Sequence, residues 1–258
     1  MITVNTPSLR RFPAIVLAIG FLSPGLAADE ILCPGDYGGH LQGLAVDDRG
    51  AIYWSFTVRL VKTDVHGKLL ASTPVPSHHG DVTYHEGKLY CAVNLGQFNR
   101  QPGQADSWVH VFRADDLSLL AKHKTAQLIH GAGGMAYYEG RHFVVGGLPE
   151  GYKENYVYEY DDEFRFLGRH VIDSGYTLMG IQTACRADNR WWFGCYGGKL
   201  LVTDDAFRLV GKYDLDFAIG LVELPDGRVL QGRSFKEGDR WRGKAVIVEL
   251  PEVDGSGG

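Results

Sequence analysis

The sequence predicts an all-β protein, a five-bladed β-propeller with four antiparallel strands per blade. Three observations predict it. A hairpin-like segment recurs five times at irregular but blade-sized intervals. Each copy is followed by one or two further strand-like runs. Glycine is abundant, 34 of 258 residues, while long apolar stretches with helical spacing are scarce, a balance that suits many short strands and tight turns.

The repeat is a glycine, about six residues, a turn glycine and an apolar strand. It reads GLAVDDRGAIYWSF from Gly43, GDVTYHEGKLYCAV from Gly80 and GGMAYYEGRHFVVG from Gly133. It returns as GIQTACRADNRWWFGC from Gly180, with a longer turn carrying Asn189, and as GLVELPDGRVLQGR from Gly220. Turn glycine between alternating apolar runs is a hairpin signal. The outer strands expected after the first hairpin are Arg59 to Asp64 and Lys68 to Ser72; comparable pairs follow the second, third and fourth. The fifth unit has a third strand, Lys244 to Leu250, and no fourth. The apolar segment from Glu30 to Pro34 stands alone before the first repeat and is the expected closing strand, which would remove an unpaired edge.

Residues 1–27 read as a signal peptide: Arg10 and Arg11, an apolar run from Phe12 to Leu22, and small residues up to Ala27. Residues 28–251 then form a single propeller domain and 252–258 a flexible tail. A periplasmic or secreted location is expected, with no membrane attachment after cleavage and a monomeric state. The formal charge of −5 and a pI near 6.0 argue against a nucleic-acid partner, which needs a basic stripe. Cys33, Cys91, Cys185 and Cys195 are too scattered for a disulfide scaffold. Cys185 and Cys195 flank one hairpin turn but fall out of register about its centre near Asp188.

Strand alternation puts the short hairpin turns on one face and the long segments Leu95–Asp106, Leu148–Glu154 and Phe235–Gly243 on the other, the near face, where a binding site is expected. His40, His79, His130 and Asp81 lie at odd offsets from the anchor glycines, so regular strands would turn them to one side beside the channel, and His78 to the other. Gln182 has the opposite parity and joins only through a bulge. Three histidines on an axis fit a divalent ion, manganese, zinc or calcium, with Gln182 and Asp81 as further ligands. The alternative is that they bond backbone between blades. Tyr196 is a candidate acid or base and Arg59 a candidate anion contact. Phe98, Tyr152, Tyr176 and Trp241 also fall near this face, where rings stack on sugars. His66, His85, His110, His123, His142 and His170 read as surface residues. Gly131-Ala132-Gly133-Gly134 resembles a phosphate cradle, but no helix follows it, so it reads as packing.

The hairpin repeats, with His40-Leu41-Gln42-Gly43 and His78-His79-Gly80-Asp81, resemble a group of exported bacterial propellers; that likeness implies a fold and no activity. His40, His79, His130 and Gln182 are similar by residue type to the three histidines and glutamine that hold an axial metal in oligogalacturonate lyases, which have more blades. Two functions follow as expectations. One is a metal-assisted lyase or hydrolase on a carbohydrate or other polar substrate. The other is a non-catalytic propeller that binds a glycan or a protein on the same face.

Overall fold

A computed structural model describes residues 30–253; the predicted signal peptide and residues 254–258 lie outside the described residues. The strands form five four-stranded antiparallel sheets, the blades of one ring. The first blade is β2 (Leu41–Val46), β3 (Ile52–Phe56), β4 (Arg59–Thr63) and β5 (Leu69–Pro74). The second is β6 (His79–His85), β7 (Lys88–Asn94), β8 (Ser107–Arg113) and β9 (Leu119–Lys124). The third is β10 (Ala132–Tyr138), β11 (Arg141–Gly146), β12 (Asn155–Asp161) and β13 (Phe166–Ile172). The fourth is β14 (Leu178–Ala187), β15 (Arg190–Tyr196), β16 (Lys199–Thr203) and β17 (Leu209–Tyr213). The fifth runs β18 (Leu221–Glu223), β19 (Val229–Glu237), β20 (Arg240–Val248), and is completed by β1 (Glu30–Leu32).

The closing strand is the one expected. Ile31 pairs with Ala245, and Cys33 N–H donates to Gly243 O at 2.9 Å. Ile31 and Cys33 are buried against Leu44, Trp54 and Leu230, so the closure is packed as well as hydrogen-bonded.

The period-2 alternation of each strand feeds two neighbouring cores. Leu89, Cys91 and Val93 of β7 pack toward the first blade, while Tyr90 and Ala92 pack toward the third. Repeated round the ring, this gives five apolar clusters, one at each blade-to-blade interface. The outermost strands β5, β9 and β13 are largely exposed, as edges with one packed neighbour should be.

The innermost strands β2, β6, β10, β14 and β18 pack side by side round the axis. Two anchor glycines show why the repeat requires them. A Cβ on Gly43 would lie 1.8 Å from Asp81 Oδ1, and Gly220, at φ +53°, has Leu44 N 2.5 Å from where its Cβ would be.

One expectation needs correction. Phe235–Gly243 is not a loop: β19 and β20 extend through it as one hairpin, and Trp241 forms a β-bridge with Tyr37. Residues 252 and 253 stay on the ring, since Glu252 O accepts a hydrogen bond from the Tyr213 hydroxyl and Val253 packs on the fourth-to-fifth blade core. The four cysteines are free; Cys185 lies opposite Trp192 and Cys195 opposite Ile181, out of register as anticipated.

Candidate functional site

Four of the five innermost strands carry a β-bulge where they leave the near face. The register slips between Leu41 and Gly43, His79 and Val82, Ala132 and Gly134, and Ile181 and Thr183. A bulge leaves one residue without a cross-strand partner and turns it out of the ladder. Gln42, Gly80, Gly133 and Gln182 fall in these steps, and all four line one cavity of about 580 Å³ at the near-face mouth of the axis. The bulge in β14 is what places Gln182 there.

His40, His78, Asn94, Phe98, Leu178, Met179 and Tyr196 complete its principal walls. Phe98 comes from the long segment after β7. Its ring lies over Gly131 and Gly133, where a Cβ would meet it at 2.7 and 3.3 Å. The glycine run 131–134 is therefore a packing surface. Asn94 is committed to its own loop, donating to Gly96 O and accepting from Asp106 N. Gln182 donates to Met179 O at 2.7 Å. Trp241 tilts over His40 with ring centroids 5.4 Å apart.

His40 and His78 meet at Gln42. His40 Nδ1–H donates to Leu41 O at 3.0 Å, which leaves its Nε2 as an acceptor. Gln42 Nε2 lies 3.1 Å from His40 Nε2, 2.8 Å from His78 Nε2 and 3.2 Å from Thr57 Oγ1. Burial lowers the pKa of both imidazoles from 6.5, and His78 is lowered further by its proximity to His40. Burial, then the charge of Asp216, pushes the Tyr196 hydroxyl up to about 12.

The residues singled out from sequence separate in space. His79 turns away from the channel into the second blade, fully buried, with Nε2 3.2 Å from His110 Nδ1. Its neighbour His78 faces the cavity instead, the reverse of the expected pair. The bulge after His79 cancels the parity on which that expectation rested. His130 secures the long near-face loop: its Nδ1–H donates to Arg100 O at 2.8 Å, and its ring packs edge-on against Tyr152. Asp81 is buried on the axis itself, accepting hydrogen bonds from Thr183 Oγ1 and from the backbone N–H groups of Leu44, Val82 and Ala184. Arg59 starts β4, two strands out from the axis, and lines a separate cleft with Asp36 and Arg240. Of the set, His40, Gln182 and Tyr196 share the cavity.

His40, His79 and His130 therefore do not fit a joint metal site. Among the described residues no group of three or more His, Cys, Asp or Glu side chains is placed to hold one ion. His110 and His142, expected at the surface, are buried at 1 % and 0 % exposure, because β8 and β11 are covered by neighbouring blades on both sides. Gln42 and His78 are the functional candidates that sequence reasoning missed. The glycine following Gln42, squeezed against Asp81, is the one local sign of a bulge there.

No protein-family model and no curated protein matches the chain. Among solved structures it is similar to the Dos1 propeller, at TM-score 0.43 and 13% identity over 74% of this chain and 54% of that one. It is similar to BamB from Moraxella catarrhalis, at TM-score 0.38 and 10% identity over 80% and 85% of the two chains. The computationally designed Ika4 protein aligns at TM-score 0.41 and 13% identity, over 67% of this chain and 94% of that one. These likenesses concern architecture, and nothing about function follows from them.

Proposed function

We propose that the protein is a ligand-binding propeller whose near-face axial cavity takes an uncharged, hydroxyl-rich molecule, with neutral sugars as the fitting class. One observation carries this reading. Among the described residues no Asp, Glu, Lys or Arg lines the cavity, yet His40, His78, Gln42, Gln182 and Tyr196 offer hydrogen-bonding groups beside the apolar surfaces of Phe98, Leu178 and Met179. Orienting polar groups on an apolar wall suit a polyol with one apolar face. In the metal-free protein a carboxylate-bearing sugar would enter without a countercharge, because Arg59 stands in another cleft. Export by the N-terminal segment belongs to the same reading and places the protein in the periplasm or outside the cell.

A second reading, acid–base cleavage of such a ligand, is favoured by two neutral imidazoles facing a protonated Tyr196 across one cavity. His78 would take a proton and Tyr196 would supply one.

Calorimetric titration of chelator-stripped protein against neutral and uronic-acid oligosaccharides, with product analysis of the same mixtures, tests both readings. Saturable binding of a neutral glycan is expected. Gln182→Ala and Tyr196→Phe should each weaken it about tenfold, or about 1.4 kcal/mol, with the melting temperature retained. Product formation supports the second reading. Preferential binding of uronic acids, or full affinity in both variants, overturns the assignment of the cavity.

A further inference from the structure

We infer that His40 and His78 form a two-histidine site for a borderline divalent ion, and that the Gln42 amide stands where that ion binds. The inference concerns the same cavity and rests on its being a ligand site.

The Gln42 amide has too few hydrogens for the acceptors around it. His40 spends its ring N–H on Leu41 O, so its Nε2 presents a lone pair. His78 Nε2, 2.8 Å from an amide nitrogen that is itself a donor, presents one too. Thr57 has spent its hydroxyl hydrogen on His40 O. Gln42 Nε2 therefore has two hydrogens for three acceptors, and one acceptor stays unfilled. Turning the amide over makes matters worse, since Gln42 Oε1 would then face the lone pairs of His40 and Thr57. The place is electron-rich.

The arrangement has the second feature of a histidine metal ligand. A ligating imidazole typically donates its other N–H to a backbone carbonyl or carboxylate, which fixes the tautomer and aims the ligating nitrogen. Leu41 O does this for His40. Metal–imidazole bonds are about 2.0–2.1 Å, so each ring has about one ångström to close once the Gln42 side chain rotates away. Imidazole donors select zinc, copper or nickel over magnesium or calcium. The remaining coordination positions face the cavity, where water or ligand hydroxyls fill them. His79, His130 and Asp81 stay outside this site, each committed to other partners.

The test is calorimetric titration of chelator-stripped protein, without a histidine tag, with Zn²⁺ and Ni²⁺. One ion per chain is expected. His40→Ala and His78→Ala should each weaken binding at least tenfold while the melting temperature holds. His130→Gln should bind as wild type does, and Gln42→Ala should bind more tightly because the competing amide is gone. No binding up to 100 µM, full affinity in both histidine variants, or loss in Gln42→Ala overturns the inference. Glycan titrations repeated in EDTA separate it from the cavity assignment: glycan bound without any ion response rejects this inference alone, and an ion response without glycan binding rejects the ligand class alone.

Discussion

The Thr183 hydroxyl donates a 2.5 Å hydrogen bond to the carboxyl of Asp81, joining the innermost strands of the fourth and second blades across the axis. Thr183 Oγ1 in turn accepts from Leu221 N–H of the fifth blade, and Asp81 also accepts from Leu44 N–H of the first. One side-chain pair thus ties four blades together at the centre. Other polar bonds cross single blade interfaces, such as Ser55 Oγ to Gly80 O and Asn155 Nδ2 to Thr177 Oγ1, whereas this pair fixes how the inner strands sit against one another at the centre.

Removing that carboxyl should destabilise the whole ring. Asp81→Ala leaves the N–H groups of Leu44, Val82 and Ala184 buried without acceptors, and about 3–5 kcal/mol of unfolding free energy should be lost. Thr183→Val keeps the volume and removes one donor, so a loss of about 1–3 kcal/mol is expected. Gly43→Ala should not fold, because its Cβ has nowhere to go but into Asp81. Urea denaturation measures all three; an unchanged midpoint in Asp81→Ala would refute the axial role.

Stability should fall as pH drops below neutrality. Burial holds His79 near 3 and His110 and His142 near 4, each far below the 6.5 of the unfolded chain. Between pH 6.5 and 4 the unfolded chain takes up protons that these folded residues refuse, so their stabilisation is present above 6.5 and lost on acidification. Asp81 acts in the opposite sense: burial raises its pKa well above 3.8, so its contribution is present below that value and declines as pH rises. Three histidines outweigh one carboxyl, and these four groups together give a slope of roughly 2–3 kcal/mol per pH unit, to which His40, His78, His123 and His130, also lowered by burial, add in the same direction. His142, with neither nitrogen hydrogen-bonded, is the cleanest probe. Denaturation curves of His142→Leu from pH 7 to 4.5 should be less steep in pH by about 1 kcal/mol per unit.

Ring closure by β1 predicts that truncation to Pro34 exposes the edge of β20. Burial of Ile31 and Cys33 is lost with it, on the order of 3 kcal/mol, and an open edge invites association. Light scattering and thermal melts of the truncated protein should show a lower transition and aggregation; an unchanged melt would contradict the closure.

The thiols should be silent in the folded protein. Burial raises Cys33, Cys185 and Cys195 to about 12 and lifts Cys91 well above the ordinary thiol value. A thiol reagent should label none of them until denaturant is added, and then all four. Reductant should leave the melting temperature unchanged.

The sequence by itself determined the ring. Five glycine-punctuated hairpins, the strands behind them and the solitary Ile31 segment specify blade number, strand order and closure. Each of these depends on local turn chemistry and on period-2 burial, which are written residue by residue. It also gathered most of the long connections on one face, because they are visible as breaks in the strand pattern.

Only the tertiary structure decided which side chains meet there. Parity assigned His79 to the channel and His78 to the blade, and the bulge at Gly80 exchanged them. The same device brought Gln42 and Gln182 into the cavity. The bulges sit where neighbouring innermost strands approach most closely, as at Gly43 against Asp81 and Gly80 against Gly133, residues of different blades. That crowding is a property of the closed ring: a strand's alternation is local, but the residue at which it breaks is set by the strand beside it.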